Sequence, residues 1–338
     1  MGGVAKSGPR VACVGGNLES QVVLEGLFER GANVVGVITL PPADAAGTSD
    51  YVDLHPMCAE RGVPVVDTSD VNEAESLDRI RRLSPDYVFT LGWSQLFGRE
   101  LLGLPKEFVV GSHPSPLPLG RGRAPVPWTI LENEARSAVT LFRMDQGADS
   151  GDILRQRWFD VPGRVYAMEL YGIVAENLRE AFCDLYEALR RGPIEGQKQD
   201  ASAGSLRAKR TPADGLIDFT ASATMVERLV RAVSRPYPGA YTYYEGKKVE
   251  IWKASIQDVP VAKGAPGQVI TRRKGRLLVQ AGGGPVWLWD LTREGHELPW
   301  RTIALGSRFG YRVEDELHSL RQEVAALREA VAELGRTK

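Results

Sequence analysis

The chain has 338 residues, 43% of them hydrophobic and 25% charged, with a formal net charge of −1. That balance suits a globular protein with about two domains and a sizeable core. It excludes an overall electrostatic pull toward nucleic acid, and with no run of about 18 apolar residues no membrane span is expected.

The N-terminal MGGVAKSGPR lacks the apolar centre of a secretion signal, and Lys6 breaks the myristoylation pattern that Met-Gly would begin. Residues 10–16, RVACVGG, form a short apolar run ending in glycines and are expected as a buried strand. Residues 20–31 carry helical spacing and a Gly stop, and 33–39, NVVGVIT, are the next strand. Further strands are expected at 63–67, 86–92, 107–113 and 137–145, with a helix over 72–83 directing Leu77 and Ile80 inward. This alternation predicts an α/β, Rossmann-like, mostly parallel sheet with helices on both faces. Ligands in such sheets sit at the carboxyl ends of the strands. A long amphipathic helix over 165–191 presents Leu170, Ile173, Val174, Leu178, Phe182, Leu185 and Leu189 to the core and stops at Gly192.

Residues 193–214 are polar and aperiodic and read as a linker. A helix near 222–234 then leads into strand-like runs with Gly-containing turns, a pattern expected for a small β-barrel of the OB type. The expected division is a catalytic domain over 1–195, a linker over 196–214, a β-barrel over 215–310 and a tail over 311–338. In the tail, Val313, Leu317, Leu320, Val324, Leu327, Val331 and Leu334 repeat at 4-3-4-3-4-3. That is a heptad seam with mostly Val at a and Leu at d, which favours a parallel two-stranded coiled coil and hence a homodimer through 313–334. An amphipathic helix lying on its own domain is the alternative. Cys13, Cys58 and Cys183 lie far apart without metal spacing. No metal is expected, and a sparse, odd count fits a reducing, cytoplasmic setting.

The chemistry concentrates in GSHPSPLPLGRGRAPVPW, residues 111–128, a Gly/Pro-rich loop expected to be neither helix nor long strand. His113 enters it at a strand end. The turn GADSGD, residues 147–152, follows another strand and supplies Asp149. A histidine and an aspartate converging over a parallel sheet can manage protons near neutral pH. The VGGN run at 14–17 does not complete a dinucleotide fingerprint.

The combination SHPSPLPLGRGRAPVPW…AVTLFRMDQGADSGDIL resembles the 10-formyltetrahydrofolate-dependent formyltransferases, and the likeness continues through DGLIDF, LVRAVSRPYPGAYTYYEGKKVEIWKA and GQVI. It spans about residues 10–310. The resemblance implies formyl transfer from 10-formyltetrahydrofolate to an amine, with His113 and Asp149 as catalytic pair. It implies a folate site near Gly92, Trp93, Leu96, Arg143, Asp145 and Gly147. One position departs from the family. Its asparagine, two residues before the histidine, is Gly111 here. That asparagine donates to the formyl oxygen, and losing such a donor costs roughly 2.7–4 kcal/mol of transition-state stabilisation. Ser112 and Ser115 are the nearest substitutes, although strand alternation points Ser112 away from the site. A different acceptor, 10-formyltetrahydrofolate hydrolysis, or an inactive relative serving as a partner protein are the other consequences of the glycine.

The stretch 40–54, LPPADAAGTSDYVDL, has no Lys or Arg where the tRNA-modifying members of that family carry a basic loop. A tRNA partner is therefore not expected. The GRGRAP loop followed by Trp128 resembles the enzymes that formylate 4-amino sugars on nucleotide diphosphates. That likeness implies a nucleotide-linked amino sugar, with Arg121, Arg123 and Trp128 as its contacts.

Overall fold

The computed structural model describes residues 8–45, 50–311 and 313–336. By its internal contacts the chain divides into two compact units. One comprises the residues up to Thr211 together with Arg235–Tyr237, and the other comprises Pro212–Ser234 and the residues from Pro238 onward.

The first unit is built on a seven-stranded sheet. Its parallel part comes from β1 (Val11–Val14), β2 (Val34–Thr39), β3 (Val65–Asp67), β4 (Tyr87–Thr90) and β5 (Phe108–His113). The connecting helices are α1 (Leu18–Glu29), α2 (His55–Glu60), α3 (Ala74–Arg82) and α4 (Arg99–Leu102). After the short β6 (Arg121–Gly122) and α5 (Pro125–Leu131), the chain forms β7 (Arg136–Arg143) and β8 (Ile153–Asp160), followed by α6 (Ala167–Arg191). The strand order is β3-β2-β1-β4-β5-β7-β8, with β7 antiparallel to both its neighbours.

All six strands expected in the first unit appear within a few residues of their predicted bounds. Every residue of β1 and β4 is buried, which is why each read as a continuous apolar run. One face packs Val14, Ile38, Leu77, Ile80, Val88 and Leu101 into a core. On the other, α1 and α6 approach so closely that a Cβ on Gly26 would meet Arg179 and the Cys183 sulfur. Phe182 of α6 packs on Phe89 of β4 with ring centroids 5.2 Å apart. Burying such a side chain contributes about 1.5–3 kcal/mol. All three cysteines are buried free thiols.

Two expectations are corrected here. The strand β8 escaped the sequence reading, because ILRQRWFD is a sheet edge with every residue half-buried or exposed. The expectation that 111–128 excludes a helix also fails, since α5 begins at Pro125 with a second proline two residues on. The first turn of a helix has no carbonyl partner for its N–H groups, so proline costs nothing there.

The second unit contains α7 (Ala223–Ala232), capped by the Ser222 hydroxyl, and an antiparallel sheet. Numbering on from β9 (Leu206–Arg207) of the first unit, its strands are β10 (Ala240–Tyr244), β11 (Lys247–Ser255), β12 (Val269–Arg273), β13 (Arg276–Ala281), β14 (Gly284–Arg293) and β15 (His296–Glu297). The order is β10-β11-β14-β13-β12, with β15 pairing to β14. The last element, α8 (Val313–Arg336), leaves its whole apolar stripe 46–71% exposed, so it does not lie on its own domain. Among the described residues no helix is long and apolar enough to cross a membrane.

Candidate active site

A cleft of about 920 Å³ opens at the carboxyl ends of the parallel strands. Gly16 and Asn17 follow β1, Thr90 ends β4 with Gly92 and Trp93 just after it, and Gly111, Ser112 and His113 end β5. The 147–149 turn and Gly122 and Arg123 close the rim. The volume lies within the usual range of small-molecule sites.

His113 is 6% exposed, and its Nε2 lies 2.9 Å from the Gly120 carbonyl. A carbonyl oxygen only accepts, so Nε2 carries the hydrogen. The other ring nitrogen, Nδ1, faces the Asp149 carboxylate at 3.7 Å. That distance permits attraction but is too long for a hydrogen bond.

Asp149 sits in the left-handed region, at φ +54. Its carboxylate accepts from the Gly122 N–H at 3.2 Å. Its carbonyl accepts from the Gln199 side-chain amide at 2.9 Å, and the same amide reaches the Gly151 carbonyl at 2.7 Å. The Gln199 oxygen in turn accepts from Arg121 Nη2 at 2.6 Å. Gln199 lies in the stretch expected to be a linker. That stretch is laced onto the first unit: β9 pairs in parallel with β6, and Gln197 pairs with Ile153. Gly122, at φ +108, packs against this segment so closely that a Cβ would stand 2.3 Å from the Arg207 carbonyl. Nothing in a polar aperiodic stretch signals such a clamp.

Among the expected catalytic residues, His113 and Asp149 meet in the cleft. Ser112 is among the residues that line it, and its hydroxyl donates to the Thr90 carbonyl of β4 at 3.0 Å. Ser115 is fully buried and donates to the Leu119 carbonyl. Both hydroxyl hydrogens are thus committed to backbone. Gly111 leaves no vacancy, since a Cβ there would stand 2.7 Å from Phe142 Cζ and 2.8 Å from Met144 Cγ.

Of the residues expected around folate, Gly92, Trp93, Leu96 and Gly147 line the cleft. Arg143 lies over the Phe108 ring instead, and Asp145 ties the turn by accepting from Gly147 N–H and the Ser150 hydroxyl. Of the expected acceptor contacts only Arg123 lines the cleft. Arg121 is bound to Gln199, while Trp128 donates to the Ala208 carbonyl beneath the Arg210 guanidinium.

At the far end, Asn17 caps α1 and reaches the Gly92 carbonyl. Beside it stand Glu19, Asp50, Tyr171 and Tyr237, which sequence reasoning missed. Burial and the Asp50 charge push the Glu19 carboxyl up to about 8. Among the described residues no group of three or more His, Cys, Asp or Glu is placed to hold a metal.

Residues 10–183 match the formyl transferase family and residues 209–307 match the formyl transferase C-terminal domain. A methionyl-tRNA formyltransferase of Geobacter sulfurreducens is 30% identical over 288 residues, covering 84% of this chain and 90% of the relative. Among solved structures, HypX from Aquifex aeolicus in complex with tetrahydrofolic acid superposes with a TM-score of 0.64 at 21% identity, over 87% of this chain. The present chain spans about half the HypX length, 46% of it. An N-formyltransferase from Helicobacter canadensis in complex with folinic acid and dTDP-3-aminofucose gives a TM-score of 0.59 at 18% identity, over 82% of this chain and 98% of that one.

Proposed function

This chain belongs to the formyl transferase family, and on that premise we propose that it transfers the formyl group of 10-formyltetrahydrofolate to an amine on a small acceptor, a nucleotide-linked amino sugar. The observation that carries the reading is His113 Nδ1 facing Asp149 at 3.7 Å inside the cleft. The folate co-substrate fits the half-open, partly apolar edge formed by Trp93 and Leu96, the latter 76% exposed and ready to be covered. Among the described residues that line the cleft, Arg123 is the cation for a diphosphate, and Arg121 is engaged by Gln199.

In the reaction the acceptor nitrogen attacks the formyl carbon. A new C–N bond forms, the bond to N10 of the folate breaks, and one proton passes from the amine to N10. His113 Nδ1 holds the proton in transit and, when charged, stabilises the oxyanion. The Asp149 carboxylate lies 3.7 Å from that nitrogen. Ser112 and Ser115 bring no free donor, so the imidazolium carries the oxyanion.

The Geobacter relative favours a second reading, formylation of methionyl-tRNA. Against it stand Asp44 and Asp50, which put carboxylates on the cleft rim where a phosphate backbone calls for cations. The test follows tetrahydrofolate release from 10-formyltetrahydrofolate with a panel of 3-amino and 4-amino sugar nucleotides and with methionyl-tRNA. Release that needs an amino sugar and is lost in His113→Ala supports the proposal. Release with methionyl-tRNA alone replaces it with the second reading. Release without any amine moves the activity to hydrolysis, and no release at all points to a non-catalytic protein.

A further inference from the structure

We propose that Glu19 and Asp50 form a subsite for a second, cationic nitrogen of the formyl acceptor, an ammonium or guanidinium distinct from the amine that is formylated. The inference rests on the formyl-transfer reading. Glu19 is 6% exposed, faces the cleft, and has no hydrogen-bond or ion-pair partner among the described residues. Buried carboxylates are normally paired, so an unpaired one aimed into a cleft awaits a partner from outside. Its neighbours do not supply one. Asp50 adds a second carboxylate, which already accepts from the Tyr171 hydroxyl at 2.5 Å and from Asn17 Nδ2 at 3.4 Å. Burial pushes the Tyr171 and Tyr237 phenols up, so both rings stay uncharged. Their faces suit a cation as well.

The sheet order fixes the geometry. Glu19 follows β1 and His113 ends β5, with β4 between them. Two strand spacings amount to roughly 10 Å. A nitrogen held by Glu19 is therefore not the one that meets the formyl carbon at His113. Cation binding transfers the Glu19 proton to solvent, because the adjacent charge restores the carboxylate.

The test uses agmatine as probe, by calorimetry at pH 7 in buffers of different ionisation enthalpy, with wild type, Glu19→Gln and Asp50→Asn. Expected is agmatine binding to the wild type with release of close to one proton. In Glu19→Gln binding weakens at least tenfold and the proton release vanishes. Asp50→Asn weakens binding while keeping the release. Equal binding by wild type and Glu19→Gln, or no binding at millimolar probe, overturns the subsite. Tetrahydrofolate release with monoamine acceptors, measured in parallel, reports on the formyl-transfer reading separately.

An independent observation carries a second inference: α8 pairs in parallel with α8 of a second copy. The helix lies beyond the residues that match the family, and its seam is exposed from Val313 to Leu334. With Leu317, Val324 and Val331 at a, the g positions hold Glu316 and Glu323 and the e positions hold Arg321 and Arg328. Parallel pairing sets Glu316 against Arg321 of the partner subunit and Glu323 against Arg328 of the partner subunit. Antiparallel pairing sets like charge against like. The full chain with Leu320→Cys is expected to form a disulfide-linked dimer on oxidation. Glu316→Lys with Glu323→Lys, and Arg321→Glu with Arg328→Glu, are each expected to be mostly monomeric by light scattering. Mixing the two restores the dimer. A wild type that stays monomeric, or a mixture that does not associate, overturns the pairing.

Discussion

Gln199 holds Asp149 by its backbone: the side-chain amide donates to the Asp149 carbonyl at 2.9 Å, fifty residues away in sequence. The bond matters because Asp149 occupies a left-handed conformation that costs about 1–2 kcal/mol without support. Gln199 also receives Arg121, so one side chain ties the proline-rich loop to the aspartate turn.

Gln199→Leu removes both halves of this tie. It is expected to lower kcat about tenfold or more while leaving KM for folate nearly unchanged, and to cost about 1–3 kcal/mol of stability. Gln199→Glu keeps the Arg121 pair and loses the donor, so it should retain stability and lose kcat. Steady-state folate release and thermal unfolding separate the two.

His113→Ala is expected to reduce kcat by about 100- to 10,000-fold. Folate affinity should hold, because the ring meets the cleft through Nδ1 alone and its other nitrogen is spent on Gly120. Equilibrium binding of 5-formyltetrahydrofolate beside a turnover assay checks both halves.

Gly111→Asn restores the residue that the family pattern expects and is expected not to restore faster transfer. Phe142 and Met144 fill the space, so the variant loses about 1–3 kcal/mol through overpacking. Gly111→Asn with Phe142→Ala relieves the clash and should recover most of kcat relative to the single variant. Turnover and denaturant midpoints of both variants decide it.

Glu19 makes stability depend on pH. Its carboxyl titrates near 4.5 when unfolded and near about 8 when folded. The folded state then binds the proton more tightly, so the contribution is full below the unfolded value and is lost as pH rises through the folded one. Glu19→Gln mimics the neutral acid. It should gain on the wild type by about 3–4 kcal/mol between pH 5 and pH 8. Urea unfolding at the two pH values measures the gap, and a constant gap contradicts the assignment.

What the sequence made legible follows from local physics. Continuous apolar runs gave the buried strands, and a histidine at the end of one of them lies in the cleft. The loop that carries His113 was legible as rigid, but its helix was hidden behind Pro125 and Pro127, which read as breakers unless they fall in a first turn. Strand β8 was hidden because an edge needs no apolar run. Gln199, Glu19 and Asp50 were illegible for a different reason. Their positions depend on neighbours far along the chain, and no spacing rule records that residues 19 and 50 share a cleft or that 149 and 199 are bonded.

The pairing of β6 with β9 sets a schedule for synthesis. A ribosome that has released residues 1–195 has delivered every strand of the first sheet, yet the aspartate turn still lacks Gln199 and the proline-rich loop lacks the edge supplied by Leu206 and Arg207. The core of the first unit can therefore close before the segment that ties the proline-rich loop to the aspartate turn has been made.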